Sequence, residues 1–204
     1  ELLVLAQDST SYGWDLTPRS SLHELMDELD KVEGLEWIRL HYAHPAHLHR
    51  EMIERFEKLA KLVQYIDMPV QHGSDKVLKD MRRGLNSDGI RIRIESLRNT
   101  CPEIAIRTSI IVGFPGETDE DLRQTIHFAR EIEADYYSLS VLAPYFGTKM
   151  YYDLIEAGVE LDKKPWEYFY HQTGELMANT NISQKVLKEY LSLNELNQKG
   201  KGYT

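Results

Sequence analysis

Cysteine is almost missing from this sequence: Cys101 stands alone among 204 residues. One thiol closes no internal disulfide, builds no cysteine zinc site and cannot by itself ligate an iron–sulfur cluster. With Pro102 behind it, ahead of an apolar run, Cys101 reads as a partly buried bystander. Positive charge is also scarce. Lys and Arg total 24 against 33 Asp and Glu, a formal net charge of −9, which argues against broad phosphate-driven nucleic-acid binding while leaving room for a local basic patch. No apolar run approaches the roughly 18 residues of a membrane span, and no leader of basic, apolar and small residues opens the chain. A cytoplasmic protein without membrane contact is the expectation. The Walker and G-x-G-x-x-G glycine patterns are lacking as well.

What is present is a regular alternation. Hydrophobic residues make up 42% of the chain, enough for one packed domain. Short continuous apolar runs, the mark of strands buried on both faces, fall at residues 2–6, 36–41, 63–70, 104–112 and 136–142. Between them lie 3.6-period stretches: 22 to about 34, 48–62, 74–83, 87–99 and 118–133, the last opened by Thr118 and Asp121 in capping-box spacing. Strand–helix alternation of this kind gives an α/β fold with a parallel sheet, and a partial (β/α) barrel is favoured over a doubly wound sheet. Residues 1–143 form the barrel part. Residues 144–204 form a helical extension, with helices at 150–157 and 184–196 packing on the barrel and residues 200–204 disordered. Because the chain opens inside an apolar strand with no turn or cap before it, the native protein is expected to extend upstream.

Barrel chemistry sits at the C-terminal ends of strands, so those residues are the candidates. Gln7 and Asp8 begin a hydroxyl-rich loop suited to a ligand amine or ribose. His41, His44, His47 and His49 follow the second strand; no Asp, Glu or Cys is spaced beside them, so a metal is not expected, and His41 is the one placed to face the barrel mouth. Gln71 and Ser74 adjoin a helix start, where backbone N–H groups favour an anion, and Ser74 also reads as an ordinary N-cap. Lys76, Lys79, Arg82 and Arg83 form a basic stripe, read as a solvated face. Arg107 and Ser109 share one face of the strongest strand, opposite Ile106, Thr108 and Ile110. A barrel arginine needs an anion, from a ligand or from an internal Asp or Glu. The turn Gly113-Phe114-Pro115-Gly116-Glu117 lets backbone approach a ligand.

Taken in order and spacing, residues 6–13 (AQDSTSYG), 37–42 (WIRLHY), 68–75 (MPVQHGSD), 81–84 (MRRG) and 107–118 (RTSIIVGFPGET) resemble the radical S-adenosylmethionine (SAM) methylthiotransferases, above all those that modify a ribosomal-protein aspartate. The resemblance runs over about residues 1–134. It implies a radical SAM partial barrel truncated at its N-terminal side, a cytoplasmic transferase that inserts a methylthio group at an unactivated C–H, a ribosomal-protein substrate rather than RNA, and SAM with a [4Fe–4S] cluster as cofactors. It also implies SAM contacts from Gln7, Asp8, Gln71, Ser74, Arg107, Ser109, Gly113, Pro115 and Glu117. The family's CxxxCxxC motif is absent, so the cluster ligands are expected upstream, with no metal ligand in this chain and no activity of this stretch alone. The turn Pro144-Tyr145-Phe146-Gly147-Thr148-Lys149-Met150-Tyr151 is similar to other radical SAM enzymes, including cobalamin-dependent ones. A cobalamin-linked enzyme and a non-catalytic barrel-like binding module therefore stay open at this point.

Overall fold

The computed structural model describes residues 1–16, 18–169, 176 and 180–199. Five strands form one sheet: β1 (Leu2–Val4), β2 (Ile38–Leu40), β3 (Leu62–Asp67), β4 (Ala105–Val112) and β5 (Tyr136–Val141). They are parallel and lie in sequence order. A doubly wound sheet reverses its strand order; this one does not. Since crossovers of this type share one hand, the order places the connecting helices on a single face, as in a barrel wall. Those helices are α1 (Leu22–Asp30), α2 (Arg50–Lys58), α3 (Asp75–Asp80), α4 (Ser87–Thr100) and α5 (Asp119–Ile132).

Strand parity decides the core. On β4, Ile106, Thr108, Ile110 and Val112 are buried against the helices, while Arg107, Ser109 and Ile111 on the other face are half-buried. Ile38, Leu40, Ile66, Leu139 and Val141 complete the helix-facing layer with Met52, Ile53, Phe56, Ile90, Ile94, Leu122, Phe128 and Ala129. Each large apolar side chain so buried contributes about 1.5–3 kcal/mol. Helix starts follow local chemistry: Asn86 caps α4, and Thr118 with Asp121 forms the expected capping box on α5. Cys101 closes α4, buried, and burial raises its thiol pKa.

Several elements are shorter than the pattern predicts. β1 stops at Val4, leaving Leu5 and Ala6 exposed. β3 stops at Asp67, because Pro69 has no N–H to give; the chain rejoins β4 only at the bridge between Gln71 and Ile110. α3 ends at Asp80, and Arg83 turns back to donate to the Pro69 carbonyl (2.9 Å) instead of lying solvated.

The segment after residue 143 divides. α6 (Lys149–Glu156) and two short 3₁₀ turns build their own small cluster of Tyr151, Leu154, Leu161 and Phe169. The predicted last helix is two, α7 (Gln184–Leu191) and α8 (Asn194–Lys199), and both join the main core through α5 and β5. The Tyr190 hydroxyl meets main-chain groups of both β4 (Ile110 O, 2.9 Å) and β5 (Ser140 N, 3.1 Å). The Asn197 amide takes the N–H of Tyr137 and donates to its C=O, as a neighbouring strand would. Residues 200–204, expected to be disordered, lie outside the described residues.

Gly73 is where the loop after β3 touches α5. A Cβ there would stand 2.6 Å from Phe128 Cβ and 2.8 Å from Thr125 Cα. Gly73→Ala is expected to lower stability by about 1–3 kcal/mol through this overpacking, read as a drop in thermal midpoint; an unchanged midpoint would show that α5 yields without cost.

Candidate functional site

The sheet face turned away from the helices is polar. Register brings Tyr65 beside Ala105, Asp67 beside Arg107, and Arg107, Ser109 and Ile111 beside Tyr136, Ser138 and Ser140. Arg39, level with Leu3 of β1, continues the row. Apart from the buried Asp67 its residues are half-buried or exposed, and its side chains pair with one another. Arg107 donates from Nη1 to Asp67 Oδ1 at 2.6 Å and lies 5.8 Å from the Tyr136 ring centre. Arg39 sits over Tyr65 at 4.9 Å and donates to Glu1. His41 Nδ1 faces Asp67 Oδ2 at 3.6 Å. Arg107 therefore finds the internal acid that the sequence left open. It is the third residue of β4, five before its end, and so about 16 Å along the strand from the C-terminal tip. It lines the inside of the groove, not its mouth.

The mouth is made of main chain in unusual conformation. Tyr42 after β2, Gln71 after β3 and Gly113 after β4 have φ of 54°, 71° and 86°. Left-handed backbone costs a non-glycine residue about 1–2 kcal/mol, so the rim turns at Tyr42 and Gln71 are held by their surroundings. Gln71 exchanges two main-chain bonds with β4, to Ser109 O and from Ile111 N. The loop beyond Gly113 is held from beneath. Glu117 is fully buried; its Oε2 accepts from Gly113 N (2.8 Å) and Phe114 N (3.0 Å), and its Oε1 meets His72 Nε2 (3.0 Å).

The expected site residues do not converge on one hollow. Gln7 and Pro115 are exposed on rim loops. Asp8 accepts from Thr10 and meets His47 Nδ1 at 2.6 Å. Ser74 holds the N-cap position of α3 but makes no cap bond; its hydroxyl donates to Asp121 of α5 at 2.7 Å, and it is 1% exposed. Ser74 and Glu117 therefore direct their side chains into the scaffold behind the rim. Arg107, Ser109, Gln71 and Gly113 border the groove. Asp67, Tyr65, Tyr136, Ser138 and Ser140 were missed, although their period-2 polar pattern within apolar strands was available as a signal. The histidine run is also resolved into separate roles: His44 and His47 stack at 4.5 Å, and Trp14 packs edge-on against His47.

Two rim groups carry shifted pKa values. Burial, then the charges of Arg83 and His47, depress His44 to about 4. For Asp8, burial works upward, but the hydrogen bonds of Thr10 and His47 outweigh it and hold the carboxyl below its ordinary range.

An open parallel α/β barrel wall with its polar face inward and turn-rich C-terminal loops defines the structural class. The chain matches the Radical SAM superfamily over residues 7–129, more than half its length, and it belongs to that superfamily. It is 43% identical over 148 residues to the ribosomal protein uS12 methylthiotransferase RimO of Anaeromyxobacter sp. (strain Fw109-5), covering 72% of this chain and 32% of the relative. It is 47% identical over 135 residues to RimO of Thermotoga petrophila, covering 66% and 31%. The chain thus spans about one third of the length of these relatives. The fold is shared with the radical SAM methyltransferase TsrM of Kitasatospora setae, solved with cobalamin and a [4Fe–4S] cluster, at a TM-score of 0.59 and 16% identity over 78% of this chain and 31% of that one.

The shifted groups give a pH signature. A folded-state His44 near 4 against an ordinary 6.5 means the unfolded chain binds the extra proton first. Stability is therefore complete above pH 6.5 and falls as pH drops from 6.5 to 4. The Asp8 contribution is lost only at lower pH, below its ordinary 3.8. Urea titrations at stepped pH should show the upper slope reduced in His44→Gln and preserved in Asp8→Asn; equal slopes in His44→Gln and wild type would reassign it.

Proposed function

We propose that this chain is the SAM-binding part of a radical SAM methylthiotransferase that places a methylthio group on an unactivated C–H of an aspartate in a ribosomal protein. The observation that carries the reading is the polar concave face bordered by left-handed rim turns, in a chain 43–47% identical to uS12 methylthiotransferases. A SAM molecule carries a carboxylate, an amine, ribose hydroxyls and a flat base. Arg107, held by Asp67, and Arg39 offer cations, Ser109 a hydroxyl, and the main chain at Gln71, Gly113 and Pro115 a surface for the base. Gln7 and Asp8 border the amine end. Ser74 and Glu117 act from behind, by holding α3 and the 113–117 loop in place. The residues fit SAM.

They do not fit the cluster. A [4Fe–4S] centre is held by several thiolates, and Cys101 is buried at the end of α4. The cluster ligands belong to the other two thirds of the enzyme. SAM bound with such a cluster supplies a carbon radical and a transferable methyl group. This chain's part is to bind it and aim it. A protein substrate suits the acidic balance of −9 better than RNA does. Among the described residues no helix is long and apolar enough to cross a membrane, and a ribosomal substrate implies work in the cytoplasm.

In the whole enzyme, reconstituted under anaerobic conditions, mass spectrometry of the ribosomal protein should show one methylthio group gained on an aspartate. Modification of a tRNA instead would overturn the substrate reading. Arg107→Ala should weaken SAM binding at least about tenfold, equivalent to about 1.4 kcal/mol, by calorimetry; an unchanged Kd removes Arg107 from the site.

A further inference from the structure

Among the described residues, one buried oxygen of the inner face has no hydrogen-bond partner. Asp67 is 1% exposed, and its Oδ1 accepts from Arg107 Nη1 at 2.6 Å, yet its Oδ2 is buried without any hydrogen bond. His41 Nδ1 faces that oxygen at 3.6 Å, too far for a bond but within a small ring movement of one. The charged and titratable groups around the pair are Arg107 on β4, Tyr65 on β3 and Arg39 beyond it. Arg107 is attached by one nitrogen only. An arginine fork commonly takes both oxygens of a carboxylate at once; here the second oxygen is left to His41, and the Nε and Nη2 of Arg107 have no acceptor among the described residues.

We propose that Asp67 is a positioning residue with two duties. Its Oδ1 fixes Arg107 by a single contact, which keeps the remaining guanidinium donors available to an anionic group in the groove. Its Oδ2 takes the Nδ1–H of His41, which sets that imidazole in the Nδ1–H tautomer and turns Nε2 toward the groove as an acceptor. Asp67 itself touches neither cofactor nor substrate. An asparagine of the same size cannot replace it, because the two duties need two acceptor oxygens and the amide offers one. The first duty rests on the functional reading above, in which the anion is the SAM carboxylate; the second stands without it.

The test uses nitrogen-15 NMR of the histidine rings in the whole enzyme at about pH 8, above the ordinary imidazole pKa. The His41 signals are assigned by their loss in His41→Gln. Wild type is expected to show His41 as Nδ1–H and Asp67→Asn to lose that preference. SAM binding in the whole enzyme should fall about tenfold or more in Asp67→Asn, with Asp67→Glu recovering part of it. A wild-type His41 in the Nε2–H form overturns the tautomer duty even if no Asp67 variant folds. Equal SAM affinity in wild type and Asp67→Asn overturns the Arg107 duty. Failure of wild type to bind SAM removes the functional reading and the Arg107 duty with it, while the ring tautomer still decides the other half.

Discussion

The fully buried carboxylate of Glu117 holds the working end of the molecule together. A charge removed from water is expensive unless its oxygens are filled, and here they are: two main-chain N–H groups of the 113–114 turn on one oxygen, His72 on the other. Because Ser74 N donates to His72 Nδ1, the Nε2 of that ring carries the proton given to Glu117. The Thr125 hydroxyl accepts from Gly73 N and lies against the same ring, and the Ser74 hydroxyl reaches Asp121. The loops after β3 and β4 and the first turns of α5 are thus one hydrogen-bonded unit. The segment before α7 is fastened to it as well, since Asn181 N donates to Glu117 O and Ser183 N to Asp119. Loops at a barrel mouth are normally the mobile part; these have interior chemistry beneath them.

Much of this was legible in the sequence, and what was not has a physical cause. Five strands, their order of appearance and the parity of Arg107 against Ile106 follow from apolar periodicity alone, because burial on one or both faces leaves a mark every second residue. Ser74 shows where such reading ends. Its position before α3 fits an N-cap, but the local main-chain N–H competes with the Asp121 carboxylate on a helix 47 residues away, and the charged acceptor wins. The family resemblance implies a ligand contact for Glu117, yet His72 arriving from another loop and two main-chain N–H groups fill its oxygens in the interior. Asp67, two residues before Pro69 in an apolar strand, carried a signal of its own that only its cross-strand neighbour explains.

The tail illustrates a second limit. Periodicity treats residues 184–196 as one helix, yet the chain breaks between α7 and α8. With the break, both Tyr190 and Asn197 reach the main chain of the sheet. Tyr190 is buried to the ring, with its hydroxyl pushed well above the usual phenol range by that burial, so its O–H serves as a structural donor and acceptor and does not ionise. Tyr190 and Asn197 are seven residues apart, which on a helix brings them round to nearly the same side, and together they fasten α7 and α8 along β5.

The polar interior of the sheet is the strongest physical statement about purpose. An ion pair such as Arg107–Asp67, with its carboxylate buried, contributes little to net stability, because desolvation offsets the attraction, and apolar residues of similar volume would serve the fold as well or better. The same strands show on their other face that such packing is available: Ile66 and Ile106 lie next to the pair in sequence and are buried among helices. A chain that fills one face with isoleucine and lines the other with Arg39, Tyr65, Asp67, Arg107, Ser109 and Tyr136 is not optimising the core on both sides. In the function proposed above, the fixed dipoles and charges there, already oriented by one another, spare a polar partner the cost of organising them.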